Sequence, residues 1–351
     1  MLENFLIIKI FFLTAMSFVV AIFLTPPLTH FLYKYKLGKQ IRDAASAPIF
    51  YQLHQKKAGT PTMGGIIIWL SVLLLAVIFF IFAKVFGGDS SLGQFNFLTR
   101  PETLLPLGVM VACALVGLVD DFLGIKRIGK NGGGLNIGHR LLIYTFIAAI
   151  GALWFYFKLD WDIFHIPFLG NFDLGWWYIP VFIFVIVATA FSVNETDGLD
   201  GLAGGVLLTS FSAVAVMAFA SGKYNLAAFC AVIVGALLAF LWFNINPARF
   251  IMGDTGAMSL GITLGVVAML TNTALLLLII GFVFVFESVS VIIQLTSKKL
   301  RHGKKIFLST PIHHHFEAIG WSEPKIVMRF WVISGVSAVI GLIIFLLDKS
   351  L

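Results

Sequence analysis

Long apolar runs separated by short polar, glycine-containing links dominate this chain. Ten of the runs approach the roughly 20 residues that a helix needs to cross the hydrocarbon core of a bilayer. They occupy 4–33, 62–86, 101–119, 139–157, 176–193, 201–221, 224–243, 256–270, 273–297 and 325–347. The eighth is the shortest. The first could be taken for a signal peptide, but it is long, carries Glu3 and Lys9, and lacks a small-residue cleavage site, so it reads as a retained anchor. One link breaks the helical pattern: 158–175 alternates apolar and polar residues around Gly170-Asn171, which predicts a small β-hairpin.

Composition agrees with lipid as the solvent. The 351 residues are 59% hydrophobic and 12% charged, about half the charged fraction of a soluble domain. No hydrophilic block is long enough to form a second domain, so 1–351 reads as a single all-α membrane domain. Cys113 and Cys230 lie inside apolar runs and read as packing residues. The net charge of +7 could point to nucleic acid, but no basic-aromatic binding module accompanies it. The placement of the basic residues explains it better. Lys34, Lys36, Lys39, Arg42, Lys56 and Lys57 lie in the first link; Lys126, Arg127, Lys130 and Arg140 in the third; Lys298, Lys299, Arg301, Lys304 and Lys305 in the ninth. Even-numbered links are poor in base. By the positive-inside rule the odd links are cytoplasmic, and ten spans put both termini and the hairpin outside.

The polar, glycine-rich segments 54–65, 120–140, 194–205, 244–256 and 310–317 all fall at odd links, so they are expected to build one cytoplasmic cleft. Asp120-Asp121 ends the third span, where a helix C-terminus and bilayer depth both disfavour negative charge. A pair kept there suits a metal site or a general base better than plain solvation. Asn194, Asp197 and Asp200 crowd a second segment, with the two aspartates spaced to share one face of a helical turn. Asp254, between Gly253 and Gly256, opens the eighth span, where it suits a hard cation or anion chemistry and could also cap the helix. His313-His314-His315 could suggest zinc, but neighbours in sequence converge poorly, and nucleotide or anion contacts fit the nearby lysines better. Lys57 and Thr62, with Gly59 and Thr60, could serve a phosphate or only fix topology. Carboxylates, lysines and histidines at membrane depth suit phosphoryl chemistry between an anionic substrate and a lipid. An ion-coupled transporter would instead spread ionisable groups through its spans and polar segments to both faces; Glu287 is the main charge inside a span.

Three stretches, Gly59-Thr-Pro-Thr-Met-Gly-Gly65, Asn244 to Asp254, and Pro311-Ile-His-His-His-Phe-Glu317, resemble the polyprenyl-phosphate N-acetylhexosamine-1-phosphate transferases. The triple histidine matches their phospho-N-acetylmuramoyl-pentapeptide branch rather than the N-acetylglucosamine branch, and the resemblance covers nearly the whole chain. It implies transfer from UDP-N-acetylmuramoyl-pentapeptide to undecaprenyl phosphate in the bacterial inner membrane, giving lipid I and UMP, with Mg²⁺ required. It further implies Asp120 and Asp121 as the catalytic pair, Asp120 the favoured base, and Asp254 as catalytic Mg²⁺ ligand. Lys57, Thr62, Asn194, Asp197, Asp200, Asn244, Gln294, His313, His314 and His315 would bind substrate or nucleoside-type inhibitors, and a homodimer is expected. One position departs from the pattern: Gly124 stands where some members carry lysine, leaving Lys126, Arg127 or Arg140 to supply the charge.

Overall fold

The computed structural model describes residues 2–38, 48–88, 90–100, 102–129 and 133–350; Lys39, Arg42 and Lys130 of the charge pattern lie outside the described residues. The chain is helical almost throughout, as lipid demands, because a helix satisfies its backbone N–H and C=O groups internally. Along the chain run α1 (Leu2–Lys34), the short α2 (Pro48–His54), α3 (Ile66–Phe86), α4 (Leu104–Ile125) and α5 (Ile137–Lys158). The hairpin strands β1 (Ile163–Ile166) and β2 (Gly170–Asp173) follow, then α6 (Tyr178–Thr196), α7 (Leu202–Ala220), α8 (Tyr224–Asn244) and α9 (Gly253–Leu270). The last elements are α10 (Leu277–Ile280), α11 (Phe282–Leu300), α12 (Ile312–Ala318) and α13 (Glu323–Lys349). Among the described residues nine helices are long and apolar enough to cross a membrane, and ten if a bent pair counts as one span.

That pair corrects the ninth predicted span. Instead of one straight rod over 273–297, α10 and α11 meet at an angle of 86° across Gly281. Beyond the bend, α11 buries Val283, Phe284, Glu287, Val291 and Gln294 while Phe286, Val289, Ile292 and Ile293 stay exposed. A one-sided helix of this kind rests on the bundle and turns its other face to lipid. The third span also differs: α4 runs on to Ile125, so Asp120 and Asp121 lie inside its last turns rather than beyond its end.

Helix α9 is the centre of the bundle. It has 94% of its span window buried, against 22–33% for α1, α4, α5, α6 and α13. Its small residues let other backbones approach closely, the usual device where lipid removes the hydrophobic drive for helix association. A Cβ added at Gly261 would sit 2.9 Å from Ala190 Cα, and one at Gly117 of α4 would sit 2.6 Å from Thr255 Cα. The second approach brings the Asp120-Asp121 turn against the first turn of α9.

The two ends of the bundle differ in chemistry. At one end, the odd-numbered links interlock through their polar side chains. At the other, the hairpin docks on the chain's last helix: His165 Nε2 lies 2.6 Å from Asp348 Oδ2, and Phe168 N donates to Asp348 Oδ1 at 2.6 Å. Strand register pairs Ile163 with Asp173 and Ile166 with Gly170. Lys9 of α1 donates to Asn96 O, in the second link, and to Asn225 Oδ1, in the first turn of α8 just after the sixth link. Both ends of the chain therefore share the hairpin's side.

Candidate active site

The site is assembled around the first turn of α9, whose leading N–H groups have no partner within the helix. Carboxylates from two other segments take them. Asp121 accepts from Asp254 N at its Oδ1 and from Thr255 N at its Oδ2, both at 3.1 Å, and Asp197 Oδ2 accepts from Gly253 N at 3.1 Å. Thr62 Oγ1 adds a 3.1 Å bond to Asp121 Oδ1. Gly253, at φ +75°, is required here, since an added Cβ would meet Asp121 Oδ2 and Thr62 Oγ1, each at 2.6 Å. Capping thus falls to Asp121 and Asp197, not to Asp254, and the Asp254 carboxylate is left facing the cleft.

There it is held from two sides. Asn194 Nδ2 donates to its Oδ1 at 2.6 Å, and Arg140 Nη2 donates to its Oδ2 at 2.9 Å. Arg140 Nη1 donates to Asn194 Oδ1 at 2.9 Å. Arg140 Nε lies 2.9 Å from Asp120 Oδ2, an ion contact without hydrogen-bond alignment, while Leu135 N donates to Asp120 Oδ1 at 2.6 Å. One guanidinium therefore joins groups from α4, α6 and α9, a task suited to its rigid fork of donors. Of the three candidates left by Gly124, Arg140 contacts Asp120 and Asp254, while Lys126 lies over the Phe122 ring. Arg140 thus touches two carboxylates, Asp120 and Asp254, with Asp121 bound alongside, so the cluster holds more carboxylates than cations.

A second cluster adjoins it. Lys57 Nζ reaches Asp200 Oδ1 at 2.7 Å and Glu323 Oε1 at 2.5 Å. Asp200 Oδ2 accepts from Asn246 Nδ2 at 3.0 Å and Ala248 N at 3.1 Å, and Glu323 Oε1 accepts from Asp200 N at 2.6 Å. The expected helical turn through Asp197 and Asp200 is absent: Asp197 ends α6 and a non-helical turn follows. The two carboxylates still grip the same 246–253 segment, at different points. Glu323, Asn246 and the specific role of Arg140 were not anticipated. Glu323 had one weak signal, its position in Ser322-Glu-Pro at the head of the last helix.

Two of the predicted ligand residues tie loops together. Asn244 accepts from Gly201 N at 2.9 Å and donates to Phe250 O at 2.7 Å. Gln294 accepts from Ile306 N and Phe307 N and donates to Phe307 O, all within 3.1 Å. The three histidines turn to three different partners. His313 Nδ1 lies 2.9 Å from Glu287 Oε2, His314 Nδ1 lies 2.7 Å from Glu317 Oε2, and His315 Nδ1 accepts from Leu308 N at 3.2 Å. His313 also abuts the Asp197-Gly198 turn, where a Cβ on Gly198 would run into its Nε2. Burial pushes the His313 and His314 imidazoles down to about 3, so both are neutral. Burial would raise the Glu317 carboxyl, but hydrogen bonds from His314 and His54 outweigh it and hold the group ionised.

Comparison with known proteins connects this geometry to a family. Residues 103–272, which include both aspartate clusters of α4 and α9, match the model described as glycosyl transferase family 4. Residues 57–68, the segment of Lys57 and Thr62, match phospho-N-acetylmuramoyl-pentapeptide-transferase signature 1. The chain is 39% identical over 350 residues to the phospho-N-acetylmuramoyl-pentapeptide-transferase of Chloroflexus aggregans, covering 96% of this chain and 90% of that one. It is 39% identical to the Bacillus subtilis protein of that name (95% and 97% covered) and 41% identical to that of Geobacillus thermodenitrificans (94% and 96%). A likeness of this depth over nearly the full length makes the chain a member of the phospho-N-acetylmuramoyl-pentapeptide-transferase family.

Proposed function

We propose that the chain transfers phospho-N-acetylmuramoyl-pentapeptide from its UDP-activated form to undecaprenyl phosphate, giving lipid I and UMP for peptidoglycan synthesis. A phosphate oxygen of the lipid forms a bond to the sugar-linked phosphorus. The bond from that phosphorus to the bridging oxygen breaks, and its electron pair leaves on UMP. The observation that carries the reading is the convergence of Asp120, Asn194 and Asp254, from three helices, on Arg140 beside the Lys57–Asp200–Glu323 cluster. The cleft opens at the end of a lipid-solvated bundle, within reach of a lipid phosphate.

Bringing two phosphates together costs roughly 4 kcal/mol for each unit-charge pair at ~4 Å and an effective dielectric of ~20. Arg140 offsets part of that repulsion at the reacting centre, and Lys57 offsets more when it exchanges a carboxylate partner for substrate. The surplus of carboxylates and the oxygen donors of Asp254 suit Mg²⁺, with Asp254 the principal ligand. When bound, the ion neutralises the diphosphate and the departing phosphate. Asp121, with both oxygens engaged by Thr62 and the α9 backbone, positions Asp254. Asp120 takes the proton from the lipid phosphate. Asp197, Asp200, His313, His314 and His315 shape the pocket for the nucleotide and the sugar-peptide, with the family's homodimer as the assembly.

The direct test is release of UMP by purified protein given both substrates, with and without Mg²⁺; no release with Mg²⁺ present would defeat the proposal. The base role has its own signature. A phosphate monoester has a second pKa of about 6, so a base matters most where the lipid phosphate still carries its proton. Asp120→Asn is expected to lose about 10²-fold in rate near neutrality and below, and to recover relative to wild type as pH rises. A profile parallel to wild type at saturating Mg²⁺ would leave Asp120 an electrostatic group only.

The polar end is assigned to the cytoplasm on the lysine and arginine excess of the odd links. Single cysteines at Gly303 should then react with a membrane-impermeant reagent only in opened vesicles, and those at His165 and Ser350 in intact cells. Labelling of position 303 in intact cells would invert the arrangement.

A further inference from the structure

We infer that His54, His314 and Glu317 form a binding site for a first-row transition-metal ion, with zinc the expected occupant, separate from the carboxylate cluster at Asp254. The three ligand atoms lie within 4.8 Å of one another, although His54 and Glu317 are 263 residues apart in sequence. Both imidazole nitrogens address the same oxygen, Glu317 Oε2, from 3.1 Å (His54 Nε2) and 2.7 Å (His314 Nδ1). A tetrahedral ion with bonds of about 2.0–2.1 Å keeps adjacent ligand atoms roughly 3.3 Å apart. Both nitrogens would draw back from Glu317 Oε2, His314 Nδ1 further than His54 Nε2, to admit one between the three atoms.

The donor chemistry selects the kind of ion. Two imidazoles and one carboxylate are a recurrent zinc set that leaves a fourth position open, whereas Mg²⁺ prefers oxygen alone. The three residues are 4–8% exposed, so an ion here would be shielded from bulk water.

Position gives the site its consequence. His54 precedes Lys57 by three residues, and His314 follows His313, which abuts the Asp197-Gly198 turn. An ion held by both would staple the first polar link to α12 and fix Lys57 and His313 relative to each other. Without an ion, the same atoms form only a carboxylate accepting two imidazole N–H groups, and the experiment must separate these cases.

Full-length protein would be purified in detergent without a polyhistidine tag, stripped of metal, and titrated with Co²⁺ in millimolar Mg²⁺. The expected result is one saturable equivalent with the intense visible d–d bands of low-coordinate Co²⁺, displaced by Zn²⁺ and unmoved by Mg²⁺. Affinity should fall by at least about 10-fold in E317Q and H54Q, whereas D254N, altered only at the carboxylate cluster, should bind as wild type does. H54C should restore binding with a thiolate-to-cobalt charge-transfer band, a signature that a hydrogen-bonded triad cannot produce. Failure of the wild-type protein to bind Co²⁺ saturably, or equal binding by E317Q and H54Q, would overturn the inference.

Discussion

Asp254→Asn is expected to insert and fold normally yet turn over about 10³-fold more slowly or worse, with added Mg²⁺ restoring little. Normal folding is a specific expectation from the cap arrangement. The first N–H groups of α9 are held by Asp121 and Asp197, so the Asp254 side chain is not needed to start the helix. An asparagine there can still bond Asn194, but it removes the charge that faces Arg140 and the proposed cation. Asp121→Ala makes the contrasting case. It strips two backbone donors and Thr62 of their acceptor in a buried setting, a loss of about 1–3 kcal/mol for each donor left unsatisfied. Its activity should fall together with thermal stability, whereas Asp254→Asn should lose activity alone. Steady-state UMP release beside a thermal unfolding curve in detergent separates the two, and near-normal turnover by Asp254→Asn would remove Asp254 from the centre of the mechanism.

Arg140→Lys is expected to cost about 10²-fold in kcat despite keeping the positive charge. Arg140 presents three different nitrogens to Asp120, Asn194 and Asp254, which come from three helices. A lysine ammonium is a single point at the end of a flexible stem and cannot span the three in one geometry. The loss should lie in kcat more than in KM, because the guanidinium organises the reacting centre rather than adding a uniform grip on the substrate. Were Lys126 or Arg127 the operative cation, Arg140→Lys would be nearly silent and their alanine variants would carry the defect. Rates for the three variants at saturating substrate and Mg²⁺ decide between these outcomes.

Several features were legible in the chain because they depend on local composition. A run of some 20 apolar residues has nowhere to go but lipid, which made the spans readable, and alternation around Gly170-Asn171 made the hairpin readable. Clustering of the polar segments at odd links followed from counting spans, and the fold does interlock those links at one end. Asp120 stood out because charge at the end of a lipid-embedded span is expensive unless something uses it, Asn194 for the polar residues crowded around it, and Asp254 for its flanking glycines at a helix start.

Other features are long-range. The bend at Gly281 is invisible to an apolar average, since both arms are hydrophobic and only packing distinguishes a broken span from a straight one. The resemblance offered Asn244 and Gln294 as ligand contacts, but the loop backbone that each amide also holds, Gly201 and Phe307, could not be read from either residue. Glu323 and His54 acquire meaning only when the last helix and the first link meet, and Arg140 only when α4, α6 and α9 close around it. The sequence by itself determined the solvent, the order of the apolar helices and which residues would be costly to bury. Tertiary structure alone decided which carboxylate caps and which faces the cleft, because partner choice depends on distances across the bundle, and no periodicity along a chain encodes those.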